Sequence, residues 1–382
     1  LELYIHIPFC VRKCSYCDFL SAPATEQTRE AYMAALFAEI GGRAKDYSDR
    51  TVTSIFIGGG TPSLLSGEQI GQLMDRIREQ FAMAQDAEIT MEVNPGTASA
   101  EKLRNFYTAG INRLSIGMQS AQAEELKNLG RIHDFEGFCQ VYREAVEAGF
   151  TNINVDIMSG LPGQTLASYR DTLEKVLHLE PMPQHISAYS LIVEEGTPFA
   201  AMAERGELPL PEEETERAMY EETIEVLAKY GFHRYEISNY ARDGYECRHN
   251  VGYWIRRDYL GFGIGAASLI DNVRFQNEKS LGAYLAHPLE SREEEQTLTV
   301  QDRMEETMFL GLRLTRGVSC VDFAEQYGRT VEEVYGEVIA RNVADGLLTV
   351  TERKENQKKD RLLALTKRGL DLSNYVMAQF LF

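Results

Sequence analysis

Three cysteines, Cys10, Cys14 and Cys17, are gathered in the string Cys10-Val11-Arg12-Lys13-Cys14-Ser15-Tyr16-Cys17, directly after an apolar run at residues 3–7. Three thiolates on one short loop can reach three corners of a cubane iron–sulfur cluster, whose full set of protein ligands is four cysteines. One iron is then open to something else. A structural zinc site wants two cysteine pairs, or a cysteine pair with a histidine pair, whereas Cys139, Cys247 and Cys320 are isolated. With six cysteines in 382 residues and no secretory leader in what is read, a disulfide framework is not expected. The expected centre is a 4Fe-4S cluster with one vacant iron.

Cys-x-x-x-Cys-x-x-Cys after a strand resembles the signature of the radical S-adenosylmethionine (SAM) superfamily, in which the amino and carboxylate groups of SAM chelate the open iron. The longer string Tyr4-Ile5-His6-Ile7-Pro8-Phe9-Cys10, with Gly58-Gly59-Gly60-Thr61-Pro62, narrows the resemblance to the oxygen-independent coproporphyrinogen III oxidase-like branch. Matching motifs run from Tyr4 to Trp254, about two-thirds of the chain. The resemblance implies SAM contacts at Gly59, Gly60 and Thr61, where glycines let a backbone approach a ligand closely. It also implies contacts at Glu92, Gln119, Arg131 and Asp156, with an acid on ribose hydroxyls and a guanidinium on the carboxylate. Taken singly, each of these is more often a structural hydrogen-bonder or a solvated charge. Tyr4 joins the set by its interval to Cys10, against the alternative of a buried core tyrosine. His6, inside the first strand, and His133 are expected to support the pocket rather than ligate metal.

A departure from the oxidases is equally informative. Those members resemble one another in carrying Cys-x-x-x-Cys-x-x-Cys-x-Cys after a longer leading region, and here Phe19 stands where the extra thiol would be. Cys17-Asp18-Phe19 instead resembles the branch known as HemW, regarded as a haem chaperone. His249-Asn250-Val251-Gly252-Tyr253-Trp254 is similar to the His-Asn-x-x-Tyr-Trp motif of that branch and contains the only tryptophan. The resemblance implies haem contacts at His249, Asn250, Tyr253 and Trp254, since an imidazole can ligate haem iron and flat rings can stack on a porphyrin. Two alternatives stay open: Tyr253-Trp254 closes the end of a barrel, or Cys247 is the axial ligand, which would need a stabilised thiolate.

The elements that must position these residues are short β-branched runs at 3–7, 53–57, 88–93, 113–116, 152–157 and 185–191. They alternate with segments of helical spacing at 29–46, 67–81, 100–109, 134–148 and 165–179. Such strand-then-helix units make an α/β fold with a parallel sheet and helices outside. Six of them match the partial (β/α)6 TIM-like barrel that the radical SAM resemblance implies, with chemistry at the strand C-termini. A turn-rich acidic connection at 194–214 leads through a helix at 213–230 to the haem motif. From 299 onward three helices (302–314, 321–327, 331–345), a hairpin (347–351 with 361–365) and a last helix (367–380) resemble a small α+β winged-helix domain. The expected division is 1–200, a radical SAM partial barrel; 201–298, a bridging region that completes it; and 299–382, the winged-helix-like piece.

That last piece holds 12 Lys/Arg against 13 Asp/Glu over 300–382, so duplex recognition is disfavoured and a scaffold or partner-docking role preferred. The whole chain, at a formal charge of −19, is poorly suited to nucleic acid or an anionic membrane, and no apolar stretch is long enough to span a bilayer. A cytoplasmic setting follows from the need for a reducing compartment. The expected function is a haem-binding, cluster- and SAM-dependent chaperone that passes haem to an acceptor protein, a membrane respiratory protein being one candidate, with an electron donor for the cluster. The alternatives are a radical enzyme that decarboxylates porphyrinogen propionates, and an interaction or DNA-binding module with a structural cluster.

Overall fold

The structure, a computed structural model, describes residues 1–355 and 358–381. Six strands, β1 (Glu2–Ile7), β2 (Thr51–Gly59), β3 (Ala82–Val93), β4 (Arg113–Gln119), β5 (Ile153–Ser159) and β6 (His185–Ser190), lie side by side in sequence order, all parallel. Helices α1 (Glu26–Arg43), α2 (Gly67–Gln80), α3 (Ala100–Thr108), α4 (Ala123–Leu129), α5 (Phe135–Ala148) and α6 (Leu166–Leu177) connect them. Their starts are written in the sequence: Thr25, Ser66, Ser99, Asp134 and Thr165 each turn a side-chain oxygen onto an amide of the first turn. Thr25 explains why the first helix opens three residues before its apolar periodicity does. The short helix α4 carries too few turns to show a period and was not expected.

The two faces of the six strands differ sharply. Leu3, Ile5 and Ile7, Ile55 and Ile57, Leu114 and Ile116, and Val155 and Ile157 point outward into the main apolar core beneath the helices. The alternate residues on the barrel interior are polar and buried, among them Glu2, Ser54, Glu88, Arg113, Asn154 and His185. Strands of a parallel sheet covered on both faces normally read as continuous apolar runs. A polar interior is the mark of an internal site.

After α7 (Pro198–Glu204) and α8 (Glu213–Lys229), the chain supplies strands to both flanks of the six. β7 (His233–Arg234) and β8 (Asn239–Ala241) add antiparallel beside β6. The short helix α9 (Arg248–Trp254) follows, and β9 (Tyr259–Phe262) then joins β1 in parallel. Strands β10 (Ala267–Ile270), β11 (Val273–Asn277) and β12 (Arg292–Thr297) continue antiparallel, giving twelve strands in one sheet.

The C-terminal part has its own apolar cluster, built around Met308, Leu312, Phe323, Val331, Leu363 and Phe380. It holds helices at Val300–Gly311, Cys320–Tyr327 and Val331–Ala344 and a three-stranded antiparallel sheet of Val318–Ser319, Lys358–Leu365 and Leu348–Glu355. The last helix, expected as one, breaks at Leu372 into Lys367–Asp371 and Ser373–Ala378. An ionic seam joins the two parts: Glu306 takes Arg256 at 2.8 Å and Arg274 at 2.7 Å. Among the described residues no helix is long and apolar enough to cross a membrane.

Candidate functional site

The cysteine loop leaves β1 at the C-terminal edge of the barrel and is pinned on three sides. Cys10 donates its amide to Ala22 O (3.1 Å), Ser15 donates to Leu129 O at the end of α4 (3.0 Å), and Phe199 at the start of α7 donates to Ser15 O (3.0 Å). Arg12 reaches Gly130 O at 2.6 Å. Cys10, Cys14 and Cys17 are all free and half-buried. Thr61 donates its hydroxyl to the Cys10 sulfur at 3.4 Å, and the Arg131 guanidinium lies 3.9 Å from the Cys14 sulfur.

The glycine string has a steric reason. At Gly60 a Cβ would stand 2.7 Å from Phe9 O and 2.8 Å from Ile7 O, so β2 could not pass under the cysteine loop with any side chain there. Gly59 has φ +106°, the left-handed region, and a Cβ would run into the His6 ring.

Around this loop the strand ends converge on one cavity of about 200 Å³. Gly59, Gly60, Thr61, Glu92, Gln119, Arg131 and Asp156 all line it, together with the three cysteines. Tyr4 does not; it lines an adjoining cavity and gives its hydroxyl to His6 Nδ1 at 2.9 Å. Sequence reasoning missed Tyr16, Asn94, Ser115 and Tyr189, which also line the first cavity. Three of them were within reach of the period-two rule: Asn94 shares a face with Glu92, Ser115 with Gly117, and Tyr189 with Ser187. His133, expected as support, holds Met118 O at 3.2 Å behind Gln119.

The electrostatics of the cavity suit a cationic ligand. Burial, and then repulsion from Asp156, pushes the Glu92 carboxyl up to about 8, although it accepts the Gly59 amide at 3.0 Å. Asp156 is also raised, because burial outweighs its hydrogen bonds from Asn154 (2.7 Å) and Ser115 (3.3 Å). Two carboxyls held short of full ionisation in one pocket are poised to give up protons to a positive guest. Gln119 sits at φ +69°, uncommon for a residue other than glycine, and Tyr189 donates its hydroxyl to Gln119 Oε1 at 3.2 Å.

The residues fit an iron–sulfur cluster with SAM. The donor set on the loop is three thiols, the ligand chemistry of such clusters. Their sulfurs do not crowd onto a single-ion position, and a cubane takes its ligands on separate corners. Arg131 commits one nitrogen to Gly117 O at 2.7 Å and leaves its buried Nε without a partner, a donor in waiting for an anionic group.

The string 249–254 starts at the opposite end of the barrel, and from it Tyr253 reaches the cavity that adjoins the first. Glu88 caps α9, accepting the amides of Arg248 (3.0 Å) and His249 (3.1 Å). His249 is buried, stacks on Phe56 at 5.3 Å, and has both ring nitrogens engaged, Nδ1 with Ser54 (2.9 Å) and Nε2 with Tyr253 (3.0 Å). Burial, then Arg113 and Arg257, lowers its pKa to about 3. With no free nitrogen it does not present itself to haem iron in this arrangement; it closes the barrel. Cys247, the alternative ligand, is fully buried, and burial pushes its thiol up to about 12. Its thiol donates to Glu88 Oε1 at 3.5 Å and takes the Asn250 amide at the helix start. Trp254 faces away, under Arg313 at 4.3 Å, at the seam with the C-terminal part.

Residues 4–176 match the radical SAM superfamily, and residues 298–372 match the HemN C-terminal domain. Over its whole length the chain is similar to the heme chaperone HemW of Bacillus subtilis, at 38% identity across 99% of this chain and 98% of that protein. The chain belongs to the HemW family. HemW of Escherichia coli is 37% identical over 91% of this chain and 92% of its own length. The structure of coproporphyrinogen III oxidase (HemN) from Escherichia coli, a radical SAM enzyme, superposes with a TM-score of 0.85 at 28% identity, covering 99% of this chain and 89% of that one. The HemW family thus shares with that oxidase an α/β fold with a mostly parallel sheet and a C-terminal domain built on an antiparallel sheet.

Proposed function

We propose that this chain holds a 4Fe-4S cluster on Cys10, Cys14 and Cys17 and SAM beside it, binds haem, and hands the haem to an acceptor protein. The observation that carries the first part is the convergence of the three cysteines, Arg131, Glu92 and Asp156 on one cavity at the barrel mouth. Full-length similarity to proteins named heme chaperones supports the second.

Gly59, Gly60 and Thr61 bring backbone close to the methionine end of SAM, and Glu92 supplies a carboxylate for its amino group. Arg131 presents its unpaired Nε to the carboxylate, and Asp156, steadied by Asn154 and Ser115, accepts from the ribose hydroxyls. A cluster held on Cys10, Cys14 and Cys17 would supply a single electron to the sulfonium of SAM bound beside it. Tyr16 and Tyr189 shield that space from water. An electron donor must dock where Arg12 and Lys13 flank the loop, and the near-neutral C-terminal domain is read as the scaffold or docking piece for the haem acceptor, a membrane respiratory haem protein being the candidate class.

The test is a transfer experiment. Reconstituted protein is loaded with one haem, separated from free haem, and mixed with an apo-haem protein. Transfer that is faster with SAM present than without it is expected; haem that never binds, or transfer indifferent to loss of the cluster and SAM, overturns the proposal.

A further inference from the structure

Beside the SAM cavity, and sharing Phe19, Gly59 and Glu92 with it, lies a second cavity of about 380 Å³. It occupies the side of the barrel where β9 and β10 flank β1, and Tyr4, Tyr253, Tyr259, Phe19 and Leu20 line it. We propose that this cavity seats the porphyrin of haem and recognises the macrocycle rather than the iron, which rests on the haem-binding reading above.

Four observations carry it. First, the lining is aromatic: three tyrosines from three different elements and a phenylalanine, beside His6 and Glu92, surround one space, with Tyr253 and Tyr259 set edge to face at 4.7 Å, a composition that can stack on a flat apolar ring. Gly265 and Ala267 keep the β9–β10 side thin, so no side chain fills the slot. Second, Phe19 and Leu20, on the same loop as the cluster ligands, leave large apolar side chains in water, 60% and 37% exposed. Apolar side chains at the lip of a pocket are a docking feature. Phe19 is also the residue that stands in place of the oxidase-type thiol.

Third, a cationic side chain stands beside the slot. Lys279 is exposed, and its Cγ lies 3.7 Å from where a Gly265 Cβ would be. A ring that is apolar in its centre and carboxylated at its edge matches an aromatic slot with a lysine beside it. Fourth, the imidazoles near the slot have no nitrogen to spare. His6 donates Nε2–H to Leu20 O and accepts the Tyr4 hydroxyl at Nδ1, both at 2.9 Å, and His249 is engaged with Ser54 and Tyr253. What remains for recognition is shape and stacking.

The slot also explains why His249 and Tyr253 belong to one string although only the second reaches a cavity. His249 holds the Tyr253 hydroxyl, and the rings meet edge to face at 4.9 Å, which fixes the Tyr253 ring as a wall.

The test uses full-length, anaerobically reconstituted protein titrated with haem and with metal-free protoporphyrin, each followed by its Soret band. Both are expected to bind, with dissociation constants within about tenfold of each other. Ala267→Phe, which fills the slot from a residue outside the SAM cavity, is expected to weaken both by at least about tenfold while SAM titrates as in the unaltered protein. Should that variant not fold, Leu20→Ala, at a residue that lines this cavity and not the SAM cavity, is expected to weaken both porphyrins at unchanged iron content. Haem binding without protoporphyrin binding overturns recognition of the ring. Unaltered porphyrin affinity in both variants overturns the location and leaves the haem reading intact, whereas absence of haem binding by the unaltered protein removes that reading itself.

Discussion

The Gly59 amide donates to the Glu92 carboxylate at 3.0 Å, across the gap between the second and third strands at the barrel mouth. That bond aims a carboxyl whose pKa burial and Asp156 have raised to about 8 at the place where a cation would enter. A guest with a sulfonium charge and an amino group to donate prefers the ionised form, so SAM affinity should rise with pH from 6.5 towards 8 and then level off. Glu92→Gln should weaken SAM by roughly 10- to 100-fold, the value of a charged hydrogen bond, and flatten the profile. Isothermal titration at several pH values checks both; a flat profile in the unaltered protein would refute the role given to Glu92.

Gly60→Ala should be poorly tolerated. The new methyl would sit 2.7 Å from Phe9 O, a backbone atom that cannot rotate away. The strain of overpacking there, about 1–3 kcal/mol, is relieved by lifting the cysteine loop. Iron and sulfide content after reconstitution should fall well below stoichiometric, while far-ultraviolet circular dichroism is retained.

His249→Ala should act on stability rather than on iron coordination. It removes a buried ring with two hydrogen bonds, at a cost of about 2–4 kcal/mol in chemical denaturation. The Soret maximum of the haem complex should stay in place; a shift marking a lost axial ligand would show that the ring opens outward to the iron.

Stability should also depend on pH in a way set by the barrel interior. The folded protein keeps protons on Glu2 up to about 7 and on Glu92 up to about 8, mainly through burial, although the ordinary value for both is 4.5. Burial also keeps His133 and His249 neutral down to about 4 and about 3, against an ordinary 6.5. Above 6.5 only the carboxyls act: the folded state holds protons that the unfolded chain has released, so stability falls as pH rises. Below 6.5 the unfolded chain takes up the histidine protons that the folded state refuses, and this stabilisation is lost as pH falls. Between about 4.5 and 6.5 the two carboxyls and the two histidines oppose one another, so melting of the SAM-free protein should be highest and nearly flat across that range, with roughly 2 kcal/mol lost by pH 8. Saturating SAM should reduce that loss.

The seam between the two parts depends on one carboxylate. Glu306→Gln strands Arg256, which is nearly buried, and Arg274, which is half-exposed. The expected loss is about 3 kcal/mol. Because Trp254 is the only tryptophan and stacks under Arg313 at this seam, its emission should shift to the red as the seam loosens, before the barrel unfolds.

Much of this was legible in the residues. The six parallel strands show as β-branched runs, and capping residues such as Thr25 and Asp134 mark where helices begin. The cluster loop and seven of the eight expected SAM contacts share one cavity, five of them at a strand's C-terminal end or on the loop after it, a placement that follows from alternation of strand and helix; Asp156, in the middle of β5, and Arg131, after α4, complete the set. Tyr4 fell one cavity to the side, since a spacing of six residues fixes its strand and face but not its depth. The flanking strands β7 to β12 were not foreseen: they are short, and their pairing depends on partners distant in sequence, such as Glu2 with Tyr259. The role of His249 was equally hidden, because whether an imidazole nitrogen is free depends on Ser54, Phe56 and Tyr253, which only the fold brings together.

The most direct measurement is the electron paramagnetic resonance spectrum of anaerobically reconstituted, dithionite-reduced protein with and without SAM. The expected result is a 4Fe-4S signal whose g-values shift on adding SAM and which disappears when Cys10, Cys14 and Cys17 are replaced together by alanine. A protein that assembles no cluster, or one whose signal is indifferent to SAM, would contradict the reading of the barrel mouth.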